Sequence, residues 1–213
     1  TSVRGSKGYL ISSGTRPAFR SKGLARAMAN DCLTHLRATG IRSFQTEVLR
    51  DNETAVGLYY SLGMTQRRLL DCYSLPVLQA GETGSERFDL LQWADIATHV
   101  DAVRQWEPSW QNDDHSLAAI EDQLLCLASF EDGILRAYAA VSPQSGTVHQ
   151  LVVHKSARRQ GLAVSLLAAV QQQLPETQMR LINVQQDDVA FKALMASVGA
   201  TETAGQYELH MVL

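Results

Sequence analysis

One six-residue signal occurs twice in the chain. Arg20-Ser21-Lys22-Gly23-Leu24-Ala25 and Arg158-Arg159-Gln160-Gly161-Leu162-Ala163 share the pattern Arg-x-x-Gly-x-Ala, each between an apolar strand-like run and an amphipathic helical run. A helix leaves its first four N–H groups without intrahelical partners, and its dipole adds partial positive charge there. Glycine lets the backbone approach an anion without a Cβ in the way. Strand, glycine turn and helix together make an anion cradle whose natural guest is a diphosphate. Arg20, Lys22, Arg158 and Arg159 add charge beside it. No G-x-x-x-x-G-K-[ST] run is present, which argues against a P-loop nucleotide site. A repeated strand–turn–helix signal constrains the fold to a duplicated α/β unit.

The surrounding pattern is unequal. In the first half, a strand at 8–13 leads into a helix from Leu24 to about Arg37, with Leu24, Met28, Cys32, Leu33 and Leu36 at helical spacing and Thr39-Gly40 as its stop. Ile41 to Leu49 reads as a strand. Asn52 caps a helix over 53–62 that Gly63 ends, and Arg67 to Leu75 is a further strand. Residues 79–86, small, polar and glycine-bearing, read as a linker. The second half reads as a strand at 88–91, helices near 94–106 and 116–123 around a polar loop, a hairpin (124–130 and 134–141) joined by Glu131-Asp132-Gly133, and a strand at 147–153. After the second glycine turn come a helix from Leu162 to Leu174, a strand at 179–184, a helix at 188–197 and a strand at 206–213. The expected division is 1–78, linker 79–86, and 87–213. The first copy holds only the later part of the pattern and the second copy all of it. A half-sheet that starts at its central strand has an open edge, so cover by the second copy or by a partner in a homodimer is expected.

Composition narrows the function. With 213 residues, 45% hydrophobic and 19% charged, the chain is an ordinary globular protein, and a net charge of −3 argues against nucleic acid as its main partner. Cys32, Cys72 and Cys126 are too scattered for a metal site or a disulfide framework, so no metal and a reducing cytoplasm are expected. No apolar run approaches the roughly 18–20 residues of a membrane span, and no secretory leader is evident.

The order of elements, with Arg-x-x-Gly-x-Ala between central strand and helix, resembles the GNAT acyltransferase superfamily as a tandem pair. In the first copy the likeness continues through Asn52, Ala55, Leu58-Tyr59 and Gly63-Met64, similar to the family's second signature except for Met64 in place of the usual Phe. In the second copy Asp188, Phe191, Leu194 and Met195 stand at those places, so the tyrosine is missing. The resemblance implies an α/β fold with a mixed, mainly antiparallel central sheet flanked by helices. It implies acetyl-CoA as co-substrate and direct attack of a small primary amine on the thioester. Both turns, Arg20 to Ala25 and Arg158 to Ala163, then become coenzyme A diphosphate sites, although one turn alone reads equally as a helix start with surface charges.

That chemistry needs a base for the acceptor ammonium, a donor for the oxyanion and a proton for the leaving thiolate. Tyr59 matches the family's proton-donating tyrosine; its plainer reading is a core aromatic, and Tyr60 faces elsewhere. Asn52 is either a coenzyme ligand or a helix cap. Glu47, His149 and His154 are candidate bases, though a lone histidine is more often structural. Trp106 and Trp110 lie where this superfamily shapes its acceptor pocket, and packing serves as well for both. Asp113, Asp114 and His115 are consecutive in a polar loop, which is not metal-ligand geometry. The competing reading is a non-catalytic protein that binds acyl-CoA or serves as a scaffold or dimerisation surface.

Overall fold

A computed structural model describes residues 1–78 and 86–213. In chain order the elements are β1 (Ser2–Arg4), β2 (Lys7–Tyr9), α1 (Leu24–Ala38), β3 (Ser43–Leu49), α2 (Glu53–Ser61), β4 (Thr65–Ser74), β5 (Asp89–Leu91), α3 (Trp93–Ala97), α4 (Val100–Val103), α5 (Asp114–Ala118), β6 (Leu125–Glu131), β7 (Ile134–Ser142), β8 (Thr147–Val153), α6 (Leu162–Gln173), β9 (Arg180–Gln185), α7 (Val189–Ser197) and β10 (Thr201–Val212). The chain divides into two compact units: Thr1–Leu70 with Ala204–Leu213, and Asp71–Thr203. These cuts fall inside β4 and β10. The linker expected over 79–86 lies, but for Glu86, outside the described residues.

In the first unit the sheet order is β1-β2-β3-β10-β4. The strand expected at 8–13 stops at Tyr9, and β1 pairs antiparallel with it, so the edge expected to be open carries a short strand. β2 and β3 run parallel, and β3 and β10 antiparallel, with Glu47 opposite Glu208. β3 alternates in burial, as a strand with one face on a core should. Phe44 and Val48 pack with Leu33 and Leu36 of α1, Tyr59 of α2, and Leu209 and Met211 of β10. The final strand is longer than expected, starting at Thr201 rather than 206, and the stretch Ala204–Leu213 completes the first unit.

The second unit orders its sheet β4-β9-β8-β7-β6-β5. The hairpin between β6 and β7 turns at Asp132 (φ +51°) and Gly133 (φ +76°), the left-handed pair that a tight hairpin requires. One core holds Leu162, Leu166, Leu167 and Val170 of α6 against Ala137, Ala139 and Val141 of β7. A second packs Trp93, Ile96, Val100, Val103 and Leu117 against Cys126, Leu135, Tyr138 and Val152. The helix expected over 94–106 is broken: α3 ends at Ala97, and α4 ends at Val103, where Arg104 turns extended.

β8 and β9 pair in parallel at Thr147↔Arg180 and Val148↔Leu181. Two irregularities follow. His149 is bulged out of β8, since Gln150 stands opposite Ala140 while Val148 stands opposite Val141. Asn183 takes a left-handed φ of +59° inside β9, a conformation asparagine tolerates better than most residues.

Candidate functional site

The two glycine turns have the same backbone. Gly23 (φ +74°) and Gly161 (φ +79°) are the left-handed residues ahead of α1 and α6. Two positions earlier, Ser21 (φ +60°) and Arg159 (φ +64°) are left-handed as well. Each turn follows a one-turn 3-10 helix, Pro17–Phe19 or Lys155–Ala157. The leading arginines do matched work: Arg20 Nε donates to the Thr15 carbonyl and Arg158 Nε to the Val153 carbonyl, both at 3.1 Å. Each guanidinium therefore ties the turn to the chain five residues upstream. Lys22 lies with Nζ 5.3 Å from the centre of the Phe19 ring. The first intrahelical bonds are Ala27 N–H to the Gly23 carbonyl and Ser165 N–H to the Gly161 carbonyl. The amides of Leu24, Ala25 and Arg26, and of Leu162, Ala163 and Val164, come before them. A Cβ on either glycine would project into open space, the room a phosphate needs. Both turns fit a diphosphate.

In the first unit, Tyr59 of α2 is 7% exposed and its hydroxyl lies 3.3 Å from Ser13 Oγ. Tyr60, beside it, is exposed. Asn52 caps α2, its Oδ1 accepting from Ala55 N–H at 3.2 Å, which is the cap reading of that residue. Glu47 on β3 accepts from the Tyr9 hydroxyl. Opposite it stands Glu208 of β10, fully buried, which accepts from Arg68 at 2.8 and 2.9 Å and from Arg67 at 3.3 Å. Like charges directly opposite on a sheet repel, and the Arg68 fork offsets that repulsion.

In the second unit a cavity of about 280 Å³ lies along the two irregular strands. Val148, His149 and Leu151 line it from β8, Leu181 to Gln185 from β9, and Trp106 and Asn112 from the loop after α4. Trp110 is buried and is not among the lining residues, so the two expected pocket tryptophans part company. Met195, where the family tyrosine would stand, is buried at 2%. Asp188 caps α7 by accepting from Phe191 N–H at 2.9 Å, the counterpart of Asn52.

His149 has both ring nitrogens engaged, with Nδ1 3.0 Å from Asn112 Oδ1 and Nε2 2.8 Å from Ser142 Oγ. Asn112 Nδ2 donates to the Ile182 carbonyl at 2.8 Å, which leaves Oδ1 as an acceptor. His149 therefore carries its proton on Nδ1 and accepts from Ser142 on Nε2. Burial, with Arg180 nearby, pulls its pKa down to about 4. It stays neutral near pH 7, with its basic lone pair already in use. His154 caps the 3-10 helix after β8 through Ser156 and is half-buried.

The polar loop is held from behind. Arg104 forks onto Asp114 at 2.6 and 2.7 Å. Burial pushes the Asp114 carboxyl up, but hydrogen bonds from Arg104 and Gln150 outweigh it and hold the group below its ordinary value. Buried Gln150 accepts from Tyr138 at 2.6 Å and from Arg104 at 3.2 Å, and donates to the Asn112 carbonyl at 2.7 Å and to Asp114 at 3.0 Å. Asp113 caps α5. Among the described residues no group of His, Cys, Asp and Glu could hold a metal ion. Asn112, Gln150, Arg104 and Glu208 escaped sequence reasoning, because a buried polar residue leaves no trace in hydrophobic periodicity.

The acetyltransferase (GNAT) family model matches residues 2–64, and the acetyltransferase (GNAT) domain model matches residues 97–195. The chain belongs to the GNAT superfamily, as a tandem pair. Each glycine turn falls in, and each family tyrosine position is near or in, one of the two matched stretches. A tandem GNAT protein from the clavulanic acid biosynthesis pathway, solved without AcCoA, is similar in structure at 15% identity and a TM-score of 0.73, over 97% of this chain and 75% of that one. A functionally unknown conserved protein from Staphylococcus epidermidis is similar at 15% identity and 0.64, over 89% and 79%. A GCN5-related N-acetyltransferase from Sphaerobacter thermophilus is similar at 14% identity and 0.64, over 92% and 70%. At such identities these structures speak for the fold alone. No curated protein matches the sequence.

Proposed function

We propose that this GNAT protein is an acetyl-CoA-dependent N-acyltransferase acting on a small primary amine, with its chemistry in the first unit. The observation that carries this reading is Tyr59: a buried tyrosine at the family's position, its hydroxyl beside Ser13, in a unit whose glycine turn fits a diphosphate. Acetyl-CoA supplies an activated acetyl group. The amides at the start of α1 hold its diphosphate, with Lys22 adding charge. Glu47, hydrogen-bonded by Tyr9, takes the acceptor's proton. The acceptor nitrogen forms the new C–N bond as the C–S bond breaks, and Tyr59 returns a proton to the thiolate. Three cysteines without a disulfide suit a reducing cytoplasm, and no helix among the described residues is long and apolar enough to cross a membrane.

For the second unit, binding of acyl-CoA without turnover is the better reading. Met195 cannot donate a proton, and His149 has its lone pair engaged. Thiol release from acetyl-CoA against a panel of amines, including aminoglycosides, polyamines and amino acids, tests both readings. Turnover that is lost in Gly23→Glu and kept in Gly161→Glu supports them. The reverse pattern assigns the chemistry to the second unit.

A further inference from the structure

In the second unit a side chain bridges the gap that opens where the backbone pairing stops. Pairing of β8 with β9 ends at Val148↔Leu181. At the next residue on each strand, Asn112 bridges the gap: Nδ2 donates to the Ile182 carbonyl, and Oδ1 accepts from the side chain of His149. A carboxamide is thus set across the gap, its N–H on a backbone carbonyl of one strand and its C=O on an imidazole N–H carried by the other. The loop is seated at two further points. Gln150 donates to the Asn112 carbonyl, and Asn183 Nδ2 donates to Ser109 Oγ at 3.2 Å. Asn112, Ser109, Gln150 and Asn183 are all buried, and Asn112, His149 and Ile182 line the cavity.

We propose that Asn112 is a specificity-determining placeholder. Its carboxamide occupies the amide position between β8 and β9, so a ligand whose own amide needs the Ile182 carbonyl must first displace it. The ligand class is a thioester on an amide-bearing arm, as in coenzyme A, and in this the inference rests on the function proposed above. The second unit therefore binds such ligands weakly until the loop from Gln105 to Asn112 gives way.

Calorimetric titration of acetyl-CoA and of pantetheine into the full chain, with Gly23→Glu present throughout to silence the first turn, tests this. Asn112→Ala is expected to bind both ligands at least fivefold tighter. Ser109→Ala, a milder release of the same loop, is expected to give a smaller gain in the same direction, and it decides the matter if Asn112→Ala does not fold. Nitrogen NMR of the imidazole of His149 is expected to show the Nδ1-protonated neutral tautomer in the parent and a mixture of tautomers in Asn112→Ala. A merely structural Asn112 gives equal or weaker binding in folded variants, and that result overturns the proposal, as does binding to none of them. Catalysis by the first unit is read separately, from turnover of Tyr59 variants in a chain with Gly23 intact, so the two ideas fail independently.

Discussion

The two glycine turns agree in their left-handed residues and in the arginine that ties them down, yet the units around them are equipped differently. Left-handed residues fall at the same two places, and the same arginine ties each turn to the carbonyl five residues upstream. Beyond the turn the likeness lapses. The first unit offers a tyrosine hydroxyl beside a serine, and a glutamate held by a tyrosine. The second offers a methionine, an engaged histidine, and a loop bonded into its strands. A cradle for a diphosphate depends on backbone, which duplication preserves whatever the side chains become. Proton transfer depends on single side chains, and each copy can lose those alone.

Tyr59 is the sharpest way to break this comparison. Tyr59→Phe keeps the ring in its buried place and removes only the hydroxyl. Thiol release is expected to fall by about 10²–10⁴-fold, the usual worth of a positioned general acid, while coenzyme A binding measured by calorimetry stays unchanged. Met195→Tyr is expected to restore nothing, because His149, the histidine that lines the second unit's cavity, has both ring nitrogens engaged. A Tyr59→Phe protein with full turnover would make this residue a core aromatic and move the chemistry elsewhere.

The helices behind the turns differ as much as the sites. In α6, Leu162 and Leu166 are 5% and 0% exposed and lie against β7; at the same places in α1, Leu24 and Met28 are 42% and 61% exposed. Leu166→Ala is expected to cost about 2–5 kcal/mol through lost burial and a cavity. Met28→Ala is expected to stay within about 0.5 kcal/mol, as at other open surface positions. Chemical denaturation read by hydrogen exchange in each unit separately distinguishes the two, since a chain of two units need not unfold in one step.

Much of this is legible in the residue order alone. The repeated Arg-x-x-Gly-x-Ala located both turns, and the spacing of Leu162, Leu166, Leu167 and Val170 located α6, because backbone geometry and core faces write themselves into residue order. The spacing of Leu24 and Met28 was as regular, yet both are exposed: periodicity tells which face is apolar, not whether anything lies on it. Asn52 is legible as a cap or a ligand, and its Oδ1 accepts from Ala55 N–H as a cap does. What stayed hidden were contacts between residues remote in sequence. Glu208 faces Glu47 only because the last strand joins the first unit. Asn112 meets His149 and Ile182 only because a loop that reads as solvated is folded inward.

The engaged histidine gives the second unit a response to acid. Its folded pKa, about 4, lies below its ordinary value of 6.5, so the unfolded chain binds more protons between those limits. The stability tied to neutral His149 is fully present above pH 6.5 and is lost as pH falls toward 4. Protection of the second unit's amides from exchange is expected to decline across that window. His149→Gln is expected to flatten the decline. A second unit equally protected at pH 4.5 and pH 7 would mean that the imidazole is not held neutral.

The smallest effects test whether the turns themselves are equivalent. Gly23→Ala and Gly161→Ala each place a Cβ on a left-handed residue, and each is expected to cost about 1–2 kcal/mol in its own unit. Ser21→Gly and Arg159→Gly remove a Cβ from a left-handed residue, which helps the folded state. The same change frees the unfolded chain, which opposes it. The two terms are of similar size, so a net change under about 0.5 kcal/mol is expected, with the same sign in both units. Matching values, read from exchange in each unit, would mean that both turns store the same backbone strain. Opposite signs for Ser21→Gly and Arg159→Gly would show that the turns only look alike, and that one of them is held in shape by its surroundings rather than by its own residues.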